Sequence, residues 1–103
     1  MSQLLPKSVM LAAEYECWCF WNRDDSSEID LNLDVDLFPL SDSLIELINE
    51  WMDVYEGTYV RSNPIESGFK DEISRASFNA MGNKILAELK KEIPSISWSY
   101  RAR

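Results

Sequence analysis

The chain has 103 residues, 46% of them hydrophobic and 12% aromatic, which suits one packed domain and excludes a disordered acidic tail. Its formal charge of −8 is concentrated in residues 24–60, which hold eleven acids and no Lys or Arg; such a surface excludes nucleic acid and acidic membranes as partners and favours basic ones. With no His, no glycine-rich phosphate loop and no G-x-S-x-G, the sequence shows no catalytic machinery, so a non-enzymatic protein without cofactors is expected.

After Pro6, the aromatic density of residues 9–21 predicts one strand. Val9, Leu11, Ala13, Tyr15, Cys17, Cys19 and Trp21 would share one face, with Glu14, Glu16, Trp18 and Phe20 on the other. Trp18 and Phe20 are then either covered by a terminal segment or open to a partner. Cys17 and Cys19 are one residue apart, where a bridge would be strained. Without histidine they do not complete a common structural zinc site, so reduced buried thiols in a cytoplasmic protein are expected. The five apolar residues from Val9 to Ala13 are too few for a signal peptide or a membrane span.

Residues 22–27 have turn composition. Beyond them Ile29, Leu31, Leu33, Val35 and Leu37 alternate with Glu28, Asp30, Asn32, Asp34 and Asp36, which predicts a half-buried strand with an acidic outer face. The spacing Asp30-x-Asn32-x-Asp34 touches that of a calcium loop. Val35 stands where such a loop needs Gly and Ser41 where it needs a bidentate Glu, so no metal site is expected.

A helix is predicted over residues 41–56. Pro39 excludes helix before it, Ser41 is a good N-cap, Leu40 and Ile45 have staple spacing, and Gly57 marks the end. Leu44, Ile45, Leu47, Ile48, Trp51, Met52, Val54 and Tyr55 recur at helical spacing and require a buried side. On the opposite side Asp42, Glu46, Glu50, Asp53 and Glu56 form an acidic ridge. Like charges at these spacings oppose the helix by about 1 to 2 kcal/mol in all, and Asp53 and Glu56 occupy the last turn, where the dipole favours cations.

Thr58-Tyr59-Val60 reads as a short extended piece and Asn63-Pro64 as a turn. The loop from Pro64 to Phe69 is expected to structure the crossing between helices, with Phe69 capping the core. A second helix is predicted over residues 70–92, stopped by Pro94, with Phe78, Met81, Gly82, Ile85, Leu86, Leu89 and Ile93 on its apolar face. Gly82 in mid-face predicts a bulky neighbour, for which Trp51 is the candidate. Ile96, Trp98 and Tyr100 alternate with Ser97, Ser99 and Arg101 and predict a closing strand.

The expected fold is therefore α+β, a small three-stranded sheet in the order β-β-α-α-β with two helices packed on one face. The closing strand is expected to run antiparallel to the second and to pair with either of the first two.

Pro39-Leu40-Ser41 entering a helix, Trp51 with Tyr55 and Thr58, Pro64-x-x-Ser67-Gly68-Phe69, Phe78, Gly82, and Leu86-Ala87 with Leu89 together resemble a group of small bacterial proteins similar to immunity proteins of contact-dependent inhibition and polymorphic toxin systems. The resemblance implies a cytoplasmic protein that neutralises a cognate toxin by plugging its basic substrate groove, most often that of a nuclease. Joined to the charge map, it makes Asp42, Glu46, Glu50, Asp53 and Glu56 on the helix, Asp30, Asp34 and Asp36 on the second strand, and Trp18 the toxin-contacting candidates. The rival expectations are a nucleic-acid mimic, marked by activity against many unrelated DNA-binding proteins, and a non-catalytic subunit of a larger assembly. A toxin gene beside this one favours immunity.

Overall fold

Residues 5–24, 31–60, 62 and 68–103 are described by the structure, a computed structural model. They run β1 (Ser8–Leu11), β2 (Phe20–Asn22), β3 (Asn32–Leu33), a 3-10 turn (Val35–Leu37), α1 (Asp42–Glu56), α2 (Glu72–Glu92) and β4 (Ser97–Tyr100). The fold is α+β, with a mixed four-stranded sheet in the order β3-β2-β1-β4.

The sheet has four strands, where three were expected, because the strand predicted over residues 9–21 is two. The chain reverses between Ala12 and Cys19, where the Ala12 N–H donates to the Cys19 carbonyl at 2.9 Å, and β1 and β2 pair antiparallel with Leu11 opposite Phe20. No Gly or Pro marks the reversal, and Glu16 takes its left-handed residue at φ 60°. The turn also resets the side-chain parity. Phe20, expected on the outer face, is fully buried, while Trp21 shares the outer row with Met10.

The predicted second strand is shorter than its alternation suggests. Asp30 and Ile29 lie outside the described residues, and β3 holds only Asn32 and Leu33. Asp34 then ends it by accepting the Asp36 N–H at 2.9 Å, which caps the 3-10 turn. Leu33 and Val35 are buried, but Leu31 is 65% exposed and Leu37 40%.

β4 pairs with β1, parallel, with Val9 opposite Trp98 and Leu11 opposite Tyr100. Because β1 and β3 are each antiparallel to β2, β4 runs parallel to β3, against expectation. The first run folds into its own hairpin, so the helices carry the chain across to the far edge of the sheet. Leu33, Phe20, Leu11 and Tyr100 form one cross-strand row, and Val9 and Trp98 another on the same face. Tyr100 reaches Gly82 of α2, which identifies this as the helix-covered face. Phe20, Phe38 and Trp98 fill its centre with ring centroids 4.9 to 5.8 Å apart.

Both helices begin on side-chain caps. The Ser41 hydroxyl accepts the Leu44 N–H, and the Asp71 carboxylate accepts the Ser74 N–H at 2.7 Å. α2 ends with Lys90 and Lys91 in its last turn, complementing the dipole; α1 has no base there. The Ser41 N–H and hydroxyl also donate to the Glu92 carboxylate, each at 2.6 Å, joining the start of α1 to the end of α2 and holding the Glu92 carboxyl below its usual range.

Between the helices Trp51 is fully buried. Its ring stacks on Phe78 at 4.6 Å, and its Nε1–H donates to the Phe78 carbonyl at 3.0 Å. Phe69 packs on Tyr55 and Phe78, the capping position expected for it, while residues 63–67 lie outside the described residues. The bulky neighbour of Gly82 is Tyr100, not Trp51. A Cβ built on Gly82 would stand 2.5 Å from the Tyr100 Cζ and hydroxyl oxygen, and that hydroxyl donates to Asn79 Oδ1 at 2.8 Å. Gly82→Leu is therefore expected to cost about 1 to 3 kcal/mol by displacing the tyrosine. Thermal melting would show this as a fall of roughly 4 to 8 °C per kcal/mol. A variant that melts with the parent would remove Tyr100 as the constraint.

Candidate functional site

Asp42, Glu46, Glu50 and Asp53 all lie on the exposed side of α1, opposite buried Leu44, Ile48, Trp51 and Tyr55. The expected ridge is thus present, but its ends have local duties. Asp42 sits in the first turn, where the dipole favours an acid. Glu56 is half-buried and its Oε1 accepts the Glu16 N–H at 2.7 Å, so it holds the reversal between β1 and β2 against the end of α1. The ion pairs among the described residues join Glu72 to Arg75, Glu88 to Lys91, and Glu14 to Arg101 and Arg103. None reaches Glu46, Glu50 or Asp53, which remain a solvated row of carboxylates running from the second turn of the helix to its last.

The other candidates separate. Asp34 is committed to its cap and Asp36 is exposed on the 3-10 turn, so these two do not extend a strand-borne acidic stripe; Asp30 lies outside the described residues. Trp18 is 48% exposed, in accord with its expected outward position although not on a strand. Its backbone is clamped by one side chain: the Trp18 N–H donates to Asn32 Oδ1 at 3.0 Å, and Asn32 Nδ2 donates to the Trp18 carbonyl at 2.8 Å and to that of Phe20 at 3.3 Å.

Beside the indole is a hollow of about 300 Å³ lined by Glu16, Cys17, Trp18, Asn32 and Met52. Met52 lies one helical turn before Glu56, so the hollow borders the C-terminal end of α1 on the flank where Glu56 holds Glu16. The part played by Glu16, Asn32 and Met52 was not visible in the sequence, since contacts across 14 and 40 positions leave no local spacing signal. Cys17 is half-buried at the rim, where a buried thiol was expected; Cys19 is buried, which pushes its thiol up to about 12 and leaves it unreactive, and both are free. On the other flank of α1, Val54, Phe69, Ile73 and Met81 line an apolar furrow of about 310 Å³.

Among the described residues no group of His, Cys, Asp and Glu is placed to hold a metal ion, and no helix is long and apolar enough to cross a membrane. Fold and surface define a small acidic α+β domain whose first helix carries on its exposed side a row of carboxylates that form no ion pair among the described residues. The profile of the Serratia CdiI immunity protein-like family matches residues 7–101, and the chain belongs to that family. The resemblance to contact-dependent inhibition immunity proteins is thereby borne out. No curated protein matches the chain.

Proposed function

We propose that this protein acts in the cytoplasm by binding a cognate toxin of a contact-dependent inhibition system, with Glu46, Glu50 and Asp53 of α1 set against a basic toxin surface. The observation that carries the docking face is the solvated carboxylate row on α1, which opposes its own helix and makes no ion pair among the described residues. Family membership supports a toxin as the target. A basic groove that binds nucleic acid is the surface such a row complements best, so a nuclease whose substrate groove is occluded is the favoured partner.

The test is to purify the toxin domain encoded beside this gene with and without the protein. A one-to-one complex and loss of nucleic-acid cleavage are expected. A complex that still cleaves would discard groove occlusion, and a toxin without nuclease activity would discard the nuclease.

A further inference from the structure

The reversal between β1 and β2 presents Trp18 in an unusual way for a surface aromatic. Asn32 fixes both polar groups of its peptide backbone, and Glu56 fixes the preceding turn by holding Glu16 in its left-handed conformation. A backbone so constrained has little freedom left to lose when a partner covers the indole, which is the property of an interface anchor. The hollow beside it is lined by Trp18, Met52, Cys17, Asn32 and the exposed Glu16, with Glu56 hydrogen-bonded to the Glu16 backbone.

That mixture selects its occupant. An aliphatic side chain would strip water from the Glu16 carboxylate and leave it without a partner. A lysine ammonium is a compact, strongly hydrated charge that uses the ring face poorly. A guanidinium is planar and more weakly hydrated; it stacks on an indole while its edge forks to a carboxylate. The lining has the same sign preference, since it includes Glu16 and no Lys or Arg.

We propose that this hollow seats an arginine side chain of the toxin, its guanidinium stacked on Trp18 and forked to Glu16 at the turn that Glu56 of α1 holds. The inference rests on the toxin-binding reading above and adds the point at which the complex is anchored. The ridge would then govern how quickly the partners meet, and the Trp18 hollow how long they stay together.

Two measurements test it. In the first, the intact protein is titrated with a blocked Gly-Arg-Gly peptide and with its neutral citrulline counterpart while the four indole N–H resonances are followed by NMR, Trp18→Phe assigning the relevant one. The Trp18 resonance is expected to move and saturate with the arginine peptide only, and to respond less in Glu16→Gln. In the second, dissociation of the neighbouring toxin domain is timed for the parent and for Trp18→Ala, whose melting should match the parent because the indole is exposed. Affinity is expected to fall on the order of 30-fold, mainly through faster dissociation.

A Trp18 resonance unmoved by the arginine peptide overturns the arginine assignment whatever the toxin does. A toxin that leaves Trp18→Ala as slowly as the parent overturns the anchor while the immunity function stands. A toxin that binds neither protein removes the toxin-binding reading itself, and the peptide titration then decides the chemistry of the hollow alone.

Discussion

Trp51→Ala is expected to bring the domain to the edge of unfolding. Removing a fully buried tryptophan costs about 3 to 5 kcal/mol, against a total of roughly 5 to 15 kcal/mol for a domain of this kind. The site has little means of collapsing onto the vacancy, since Phe78 would lose the ring stacked on it at 4.6 Å and Tyr100 the ring 6.1 Å away. The Phe78 carbonyl would lose its indole donor as well. Urea denaturation should show the midpoint falling at unchanged slope. Trp51→Phe keeps an aromatic surface and is expected to recover most of the loss, with a residual of about 1 kcal/mol for the hydrogen bond. An alanine variant with the parental midpoint would mean that the helices are held together elsewhere.

The second large effect is kinetic. Changing Glu46 and Glu50 to Gln and Asp53 to Asn should keep or raise the melting temperature, because neighbouring carboxylates on α1 no longer repel. Asp42 and Glu56 are left in place, the first because it serves the helix dipole and the second because it holds Glu16. Association with the toxin should slow by about tenfold or more at low salt, the scale on which charge steering acts. The deficit should shrink as salt rises, since exposed charges are screened over about 8 to 10 Å at ordinary ionic strength. Stopped-flow traces at two salt concentrations decide the matter. A triple variant that associates at the parental rate at low salt would reduce the row to a solvated face.

Elements with local signals were legible in the sequence. Ser41, Gly57 and Pro94 bracket helices that end within two residues of their expected limits, and alternation of Ile96, Trp98 and Tyr100 found the closing strand. Features made by contacts between distant positions were hidden. The reversal at Glu16 uses no turn residue and is held partly by Glu56, 40 positions away, so an apolar run that folds back on itself looked like one strand. Gly82 announced a large neighbour without identifying it, because Trp51 had already found Phe78. The solvated row on α1 could be read from spacing alone. The separate duties of Asp34 and Glu56 could not, since a carboxylate looks the same whether it faces water or accepts a backbone N–H.

Ribosomal synthesis delivers β1 before β4, and the two meet across 89 positions. Until Ser97 to Tyr100 emerge, β1 keeps a bare edge: the Lys7 carbonyl awaits the Ser97 N–H, and the Leu11 carbonyl that of Arg101. The notch at Gly82 likewise lacks its tyrosine. α1, a 15-residue helix whose acids repel one another, is too short to persist in water by itself. The carboxylate row is therefore held only once α1 packs on α2, a contact completed when Tyr100 reaches Trp51, and closure across so long a separation is intrinsically slow. If the protein neutralises a toxin, a cell under attack depends on molecules already folded, because chains that have not yet delivered β4 do not carry the finished surface that meets it.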